Sequence, residues 1–142
     1  MIRGFDHVAL PMQNVEDMIA FYKTIGAEVI EEVPGFLHAA YLGNNKINLH
    51  MPAAWQSPKF ELRGPAAQPG CGDLCFAWEG SMDDLQNLLA IAGAEIIEGP
   101  CERRGGLNEM GTSVYVRDPD NNLLEFITYE NVQRDKLARK GS

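Results

Sequence analysis

Hydrophobic positions recur along this chain with two different spacings. Over residues 15–23 the apolar side chains Val15, Met18, Ile19 and Tyr22 fall at i, i+3, i+4 and i+7, the stripe of a helix that buries one face. Leu85, Leu88, Leu89 and Ala92 repeat that stripe within residues 82–92. Each stripe runs into the same signature, Gly26-Ala27-Glu28-Val29-Ile30-Glu31 and Gly93-Ala94-Glu95-Ile96-Ile97-Glu98. The glycine stands where a helix C-terminus is expected, and a β-rich run follows it. Strand-type runs precede each helix, at 5–10 and 73–78, and follow it, at 37–42 and 46–51 and then at 112–117 and 123–127. Gly43-Asn44-Asn45 and Asp118-Pro119-Asp120-Asn121-Asn122 separate the members of each later pair with hairpin turn chemistry. Each half therefore reads β-α-β-β-β.

This pattern predicts an α+β fold of two paired β-α-β-β-β modules whose sheets jointly form a cup. Module one covers 4–51, module two covers 70–130, and the proline-rich stretch 52–69 connects them. Residues 1–130 then form a single domain and 131–142 a polar C-terminal tail. The long glycine-bearing stretch 99–108 is expected to be a loop that could serve as a lid.

Strand parity adds candidate chemistry, because alternate side chains share a face. His7 lies on the face opposite Val8 and Leu10, and Asn48 and His50 oppose Ile47 and Leu49. Asp73 and Cys75 oppose Leu74 and Phe76, and Glu125 opposes Leu124 and Phe126. His7, His50, Asp73 and Glu125 are thus expected on the face away from the helices, converging if the modules pair side by side. Two imidazoles and two carboxylates suit a divalent transition metal such as Mn, Fe, Co, Ni or Zn, and leave octahedral positions free for substrate oxygens. His7, His50 and Glu125 alone make the two-His-one-carboxylate set of non-haem iron oxygenases. Arg103 and Arg104 could hold a substrate carboxylate, Trp55 and Phe60 could line the mouth of the cup, and Cys75 reads as a small filler.

Composition narrows the partners. Apolar residues at 45% and charged residues at 23% argue for a folded domain. A net charge of −8 gives no Lys/Arg excess with which to follow nucleic acid or an anionic bilayer. No apolar run approaches the ~20 residues of a membrane span and the N-terminus carries no secretory pattern, so the expected location is the cytoplasm. Cys71, Cys75 and Cys101 form no CxxC pair and are expected to be reduced thiols.

Asp6-His7-Val8-Ala9-Leu10, the helix end Phe21-Tyr22-Lys23-Thr24-Ile25-Gly26, and Arg117-Asp118-Pro119-Asp120-Asn121-Asn122-Leu123-Leu124-Glu125-Phe126 together resemble the vicinal oxygen chelate superfamily. That superfamily includes glyoxalase I, bleomycin-resistance proteins, fosfomycin-resistance enzymes and extradiol dioxygenases. The stretch 36–50, and Pro69-Gly70 followed by Asp73, most resemble its small glyoxalase-domain-containing members. The resemblance implies metal ligands on the first and last strands of each module, hence His7, His50, Asp73 and Glu125. Two departures stand out: Asp73 occupies a position where histidine is common, and His50 one where glyoxalase I often has glutamate. The implied mechanism is bidentate chelation of two substrate oxygens, with Glu125 a permanent ligand and Asp73 a looser one able to act as base. The implied activity is a glyoxalase-I-like lyase or isomerase on a small oxygen-bearing metabolite. An extradiol Fe(II) dioxygenase and a metal-free drug- or metabolite-binding protein are the alternatives. The exposed edges of the half-open sheets add the expectation of a homodimer.

Overall fold

The computed structural model describes residues 1–129; residue 130 and the tail 131–142 lie outside the described residues. The element order is β1 (His7–Pro11), α1 (Val15–Thr24), β2 (Glu28–Val33), β3 (Leu37–Leu42), β4 (Asn45–His50), α2 (Pro52–Trp55), β5 (Asp73–Ala77), α3 (Met82–Ile91), β6 (Glu98–Arg104), β7 (Met110–Arg117) and β8 (Leu123–Thr128). Two four-stranded mixed sheets result, in the orders β1-β4-β3-β2 and β5-β8-β7-β6. Each has its first and last strands side by side and parallel, and its other neighbours antiparallel. The two β-α-β-β-β modules expected from the repeat are therefore present.

Both helices bury the stripe their spacing announces. Met18, Phe21 and Tyr22 of α1 and Leu85 and Leu89 of α3 are buried, and they join Leu10, Ile47 and Leu49 of sheet one and Val114, Leu124 and Phe126 of sheet two in one core. Burying a side chain of this kind stabilises by roughly 1.5–3 kcal/mol, so this shared core holds the modules together. His7, Ala9, Asn48 and His50 occupy the opposite face of sheet one, as parity requires.

Two segments differ from expectation. The stretch 99–108 does not form a lid: Glu98–Arg104 is strand β6, the edge of sheet two. Gly99-Pro100 is accommodated by a register shift between Glu98 and Cys101 against β7, and an edge position tolerates the missing proline donor. Gly99 marks a close approach rather than mobility, since a Cβ there would stand 2.4 Å from the Ser113 carbonyl oxygen. The connector also contains a short helix, α2, which begins at Pro52, where the missing N–H is not needed.

A polar network built on the turn before β8 crosses between modules. Asp118 Oδ2 accepts from the Tyr22 hydroxyl at 2.8 Å and from Asn122 Nδ2 at 2.8 Å, while Oδ1 accepts from the Asp120 and Asn122 amides at 3.0 Å. Burial and the Asp118 charge push the Tyr22 phenol well above its ordinary pKa, so it stays a donor. Asp120 accepts from Gln13 N at 2.8 Å and from Asn14 N and Nδ2 at 2.9 Å each. A carboxylate from module two thus secures the start of α1, where negative charge also meets the positive end of the helix dipole. The two helices differ here. In α3 the Ser81 hydroxyl accepts from Asp84 N at 3.1 Å, whereas Asn14 makes no side-chain cap bond to α1.

Candidate functional site

Register fixes what each sheet floor presents on the face away from the helices. On sheet one, His7 pairs with Lys46, Ala9 with Asn48, and Pro11 with His50. On sheet two, Asp73 pairs with Leu123, Cys75 with Glu125, and Ala77 with Ile127. The two parallel pairs are equivalent, with His7 at the position of Asp73 and Asn48 at that of Glu125. His50 falls on Ile127, two residues farther along the strand. The residue equivalent to Glu125 is therefore Asn48, and His50 is not at that position, contrary to expectation.

Glu125 is the best anchored of the four. It is half-buried, its Oε2 accepts from the Ser113 hydroxyl at 2.6 Å, and its cross-strand neighbours are Cys75 and Tyr115. Partial burial and the Glu125 charge push the Cys75 thiol up to about 12, so this cysteine is a neutral thiol and not a nucleophile at physiological pH. Tyr115 is also shifted upward, first by desolvation, and its hydroxyl accepts from Arg103 Nε at 3.1 Å. A chain of polar groups thus runs from Arg103 through Tyr115 to Glu125 and Ser113.

On sheet one, His7 is exposed and its Nδ1 lies 2.6 Å from Asp6 Oδ1. Asn48 Oδ1 is buried without a hydrogen-bond partner, between Ala9 and Ala39 of the flanking strands. An orphaned buried oxygen is a place where a hydrogen-bond donor or a cation would satisfy an otherwise costly group. Asp73 is exposed at the start of β5, one step diagonal from Glu125.

Within this single chain the four candidate ligands do not come together. Among the described residues no three His, Cys, Asp or Glu side chains are grouped so as to hold a metal ion. The reason is architectural: His7 and Asn48 belong to one sheet, Asp73 and Glu125 to the other, and no strand of one sheet pairs with a strand of the other. His7, Asp73 and Glu125 are of the chemistry that ligates a divalent metal, but they stand on two sheets and form no single cluster among the described residues.

The remaining candidates divide. Arg103 is on the floor side of β6, but Arg104 has the opposite parity and its Nη1 is tied to Asn108 O at 2.9 Å across the hairpin. Trp55 uses its indole N–H on the Met12 carbonyl at 2.8 Å, which pins the connector to the end of β1. Phe60 stands edge-on to His50, with ring centroids 5.2 Å apart. Burial, then the Arg63 charge, lowers the His50 pKa and keeps its ring neutral. Sequence reasoning passed over Asn48, Ser113 and Tyr115. Asn48 shares the parity of His50, and equivalence of the repeats is the signal that singles it out.

No helix among the described residues is long and apolar enough to cross a membrane. The chain is 36% identical over 132 residues to a glyoxalase domain-containing protein of Mycosarcoma maydis, covering 93% of this chain and 72% of that one. The crystal structure of a virulence protein from Salmonella typhimurium matches with a TM-score of 0.79 and 34% identity, covering 91% of this chain and 98% of that one. A metallothiol transferase of Shouchella clausii is 27% identical over 131 residues, covering 90% of this chain and 82% of that one. The family model for the Glyoxalase/Bleomycin resistance protein/Dioxygenase superfamily matches residues 4–126, both modules included, and the chain belongs to that superfamily.

Proposed function

We propose that this protein is a divalent-metal-dependent enzyme acting on a small oxygen-bearing metabolite as a glyoxalase-I-like lyase or isomerase. Its metal would be held between two half-sites, His7 with Asn48 and Asp73 with Glu125, that meet when two copies pair as a homodimer. The observation that carries this reading is Glu125, fixed by Ser113 on one sheet floor, with the orphaned Asn48 oxygen at the equivalent place on the other. Exposed apolar side chains on the free face of sheet one, Ile30 at 43% and Tyr41 at 37%, favour a covering partner. A donor set of one imidazole, one amide oxygen and two carboxylates favours Mn, Fe or Co over softer choices.

When bound, such a metal supplies Lewis-acid polarisation of two substrate oxygens. The chain's residues do the rest. Ser113 holds Glu125 Oε2. Asp73, shorter and less anchored, is the carboxylate free to accept a substrate proton. Tyr115, steadied by Arg103, can hand a proton to an oxygen arriving beside Glu125. The three free cysteines suit a reducing compartment such as the cytoplasm.

Metal analysis, light scattering and complementation test this together. His7→Ala and Glu125→Gln should each lose metal while remaining folded, because neither side chain belongs to the core. Mixing the two variants under exchange should restore about a quarter of the wild-type sites, since random pairing makes half the dimers mixed and each mixed dimer has one intact site. Failure of both variants to alter metal content, or a monomer that binds metal stoichiometrically, would refute the reading.

A further inference from the structure

At the end of sheet one lies a cavity of about 340 Å³ that the proposed metal half-sites do not use. Its position follows from register: Leu37 pairs with both Val33 and His50, so the three stand in one row on the free face. Phe36 closes the hairpin above them, tied by its carbonyl to Met51 N at 2.8 Å, and Phe60 arrives from the connector with its ring edge-on to His50. Val33, Phe36, Leu37 and Phe60 give apolar walls, and the volume is within the range of small-molecule pockets. Val33 and Phe36 are 47% and 49% exposed, so their apolar surface is open to an occupant of the cavity.

The polar groups specify the occupant. No carboxylate lines the cavity, and Lys59 is its one charged lining residue, in a chain whose net charge is −8. The guanidinium of Arg63 donates to the carbonyls of Trp55 and Ala67 and adds positive potential from beneath. Neither ring nitrogen of His50 makes a hydrogen bond among the described residues, so the imidazole can serve a ligand oxygen. We propose that this cavity binds a small monocarboxylate with a compact aliphatic or aromatic body, the body between Phe36 and Phe60 and the carboxylate at Lys59 and His50.

This site lies apart from the proposed metal half-sites, and binding in it requires no metal. The test is calorimetric titration of chelator-treated protein with hexanoate and benzoate, set against hexan-1-ol and hexylamine. Both acids should bind, the alcohol about tenfold more weakly and the amine not measurably, because charge-assisted contacts outweigh neutral ones. Lys59→Gln should weaken hexanoate about tenfold, and Phe36→Ala should weaken benzoate by at least as much; both residues are exposed, so folding is preserved. Arg117→Gln on the other sheet should change neither. Equal binding of acid and amine, an unaltered Lys59→Gln, or no heat with any probe overturns the proposal. Acid binding in a protein that never loads metal would sink the metal reading alone, and metal loading without acid binding would sink this one alone.

Discussion

Replacing Asp120 tests whether the contact between modules is as strong as its geometry suggests. One nearly buried carboxylate receives Gln13 N at 2.8 Å and Asn14 N and Nδ2 at 2.9 Å, from residues more than a hundred positions away in sequence. Hydrogen bonds to a charged acceptor contribute about 1.5–3 kcal/mol each when buried. Gln13 and Asn14 are exposed residues, so their donors recover water once the carboxylate is gone, and the three contributions do not add. Loss of a helix cap alone costs about 1 kcal/mol, which sets a floor. Asp120→Ala should therefore destabilise by about 2–4 kcal/mol, and Asp120→Asn, which keeps one acceptor, by about 1–2 kcal/mol. Urea denaturation followed by far-ultraviolet circular dichroism would report both as lower midpoints at an unchanged slope. Combining Asp120→Ala with Asn14→Ala should give less than the sum, because the Nδ2 contact is counted in both. An Asp120→Ala protein within about 0.5 kcal/mol of the parent would refute the argument, since that is the scatter of ordinary surface changes.

Three further outcomes are expected. With Cys71 and Cys101 replaced by serine and metal removed, iodoacetamide alkylation of Cys75 should keep accelerating with pH beyond 9, because the folded thiol titrates near 12; Glu125→Gln removes a repelling charge and should shift the rise to lower pH. A profile that levels off at pH 9 in the parent contradicts the assignment. Ser113→Ala should lower metal affinity by about 10–100-fold with stability little changed, read by competition with a chelating dye, because the lost bond orients a ligand. An affinity equal to the parent's would leave Ser113 without that role. Gly99→Ala should cost more than about 2 kcal/mol in a thermal or urea melt, since its φ of +95° and the 2.4 Å approach to Ser113 O both exclude a Cβ; a neutral result would mean the edge strand can slide.

The fold was legible because periodicity is a local signal that long-range packing happened to reinforce. Apolar spacing located α1 and α3 to within a residue or two, and turn residues located the β3–β4 and β7–β8 hairpins. Gly99 misled for a physical reason: glycine permits a loop, but it also permits backbone to lie against backbone, and only the neighbour β7 distinguishes the two. Parity placed His7, His50, Asp73 and Glu125 on the faces away from the helices, where the strands hold them, yet could not say which of Asn48 and His50 stands at the place equivalent to Glu125. That equivalence needed the strand register, a nonlocal quantity. The separation of donors between two sheets was hidden too, because parity says which face a side chain takes and nothing about which faces meet.

The unequal helix starts have a consequence for how the chain is made. Module two carries the cap of α3 within its own sequence, at Ser81, so that helix can begin to form as soon as its first turns are available. Module one emerges first from the ribosome, but the carboxylate that secures the start of α1 lies at Asp120. At roughly 5–20 residues per second, some 5–20 s pass before that group exists. During that interval the first helix has its apolar stripe but not its clamp. The earliest part of the polypeptide thus depends on one of the latest, and contacts of such sequence separation form late in folding. Weakening the clamp should therefore hasten unfolding far more than it slows folding.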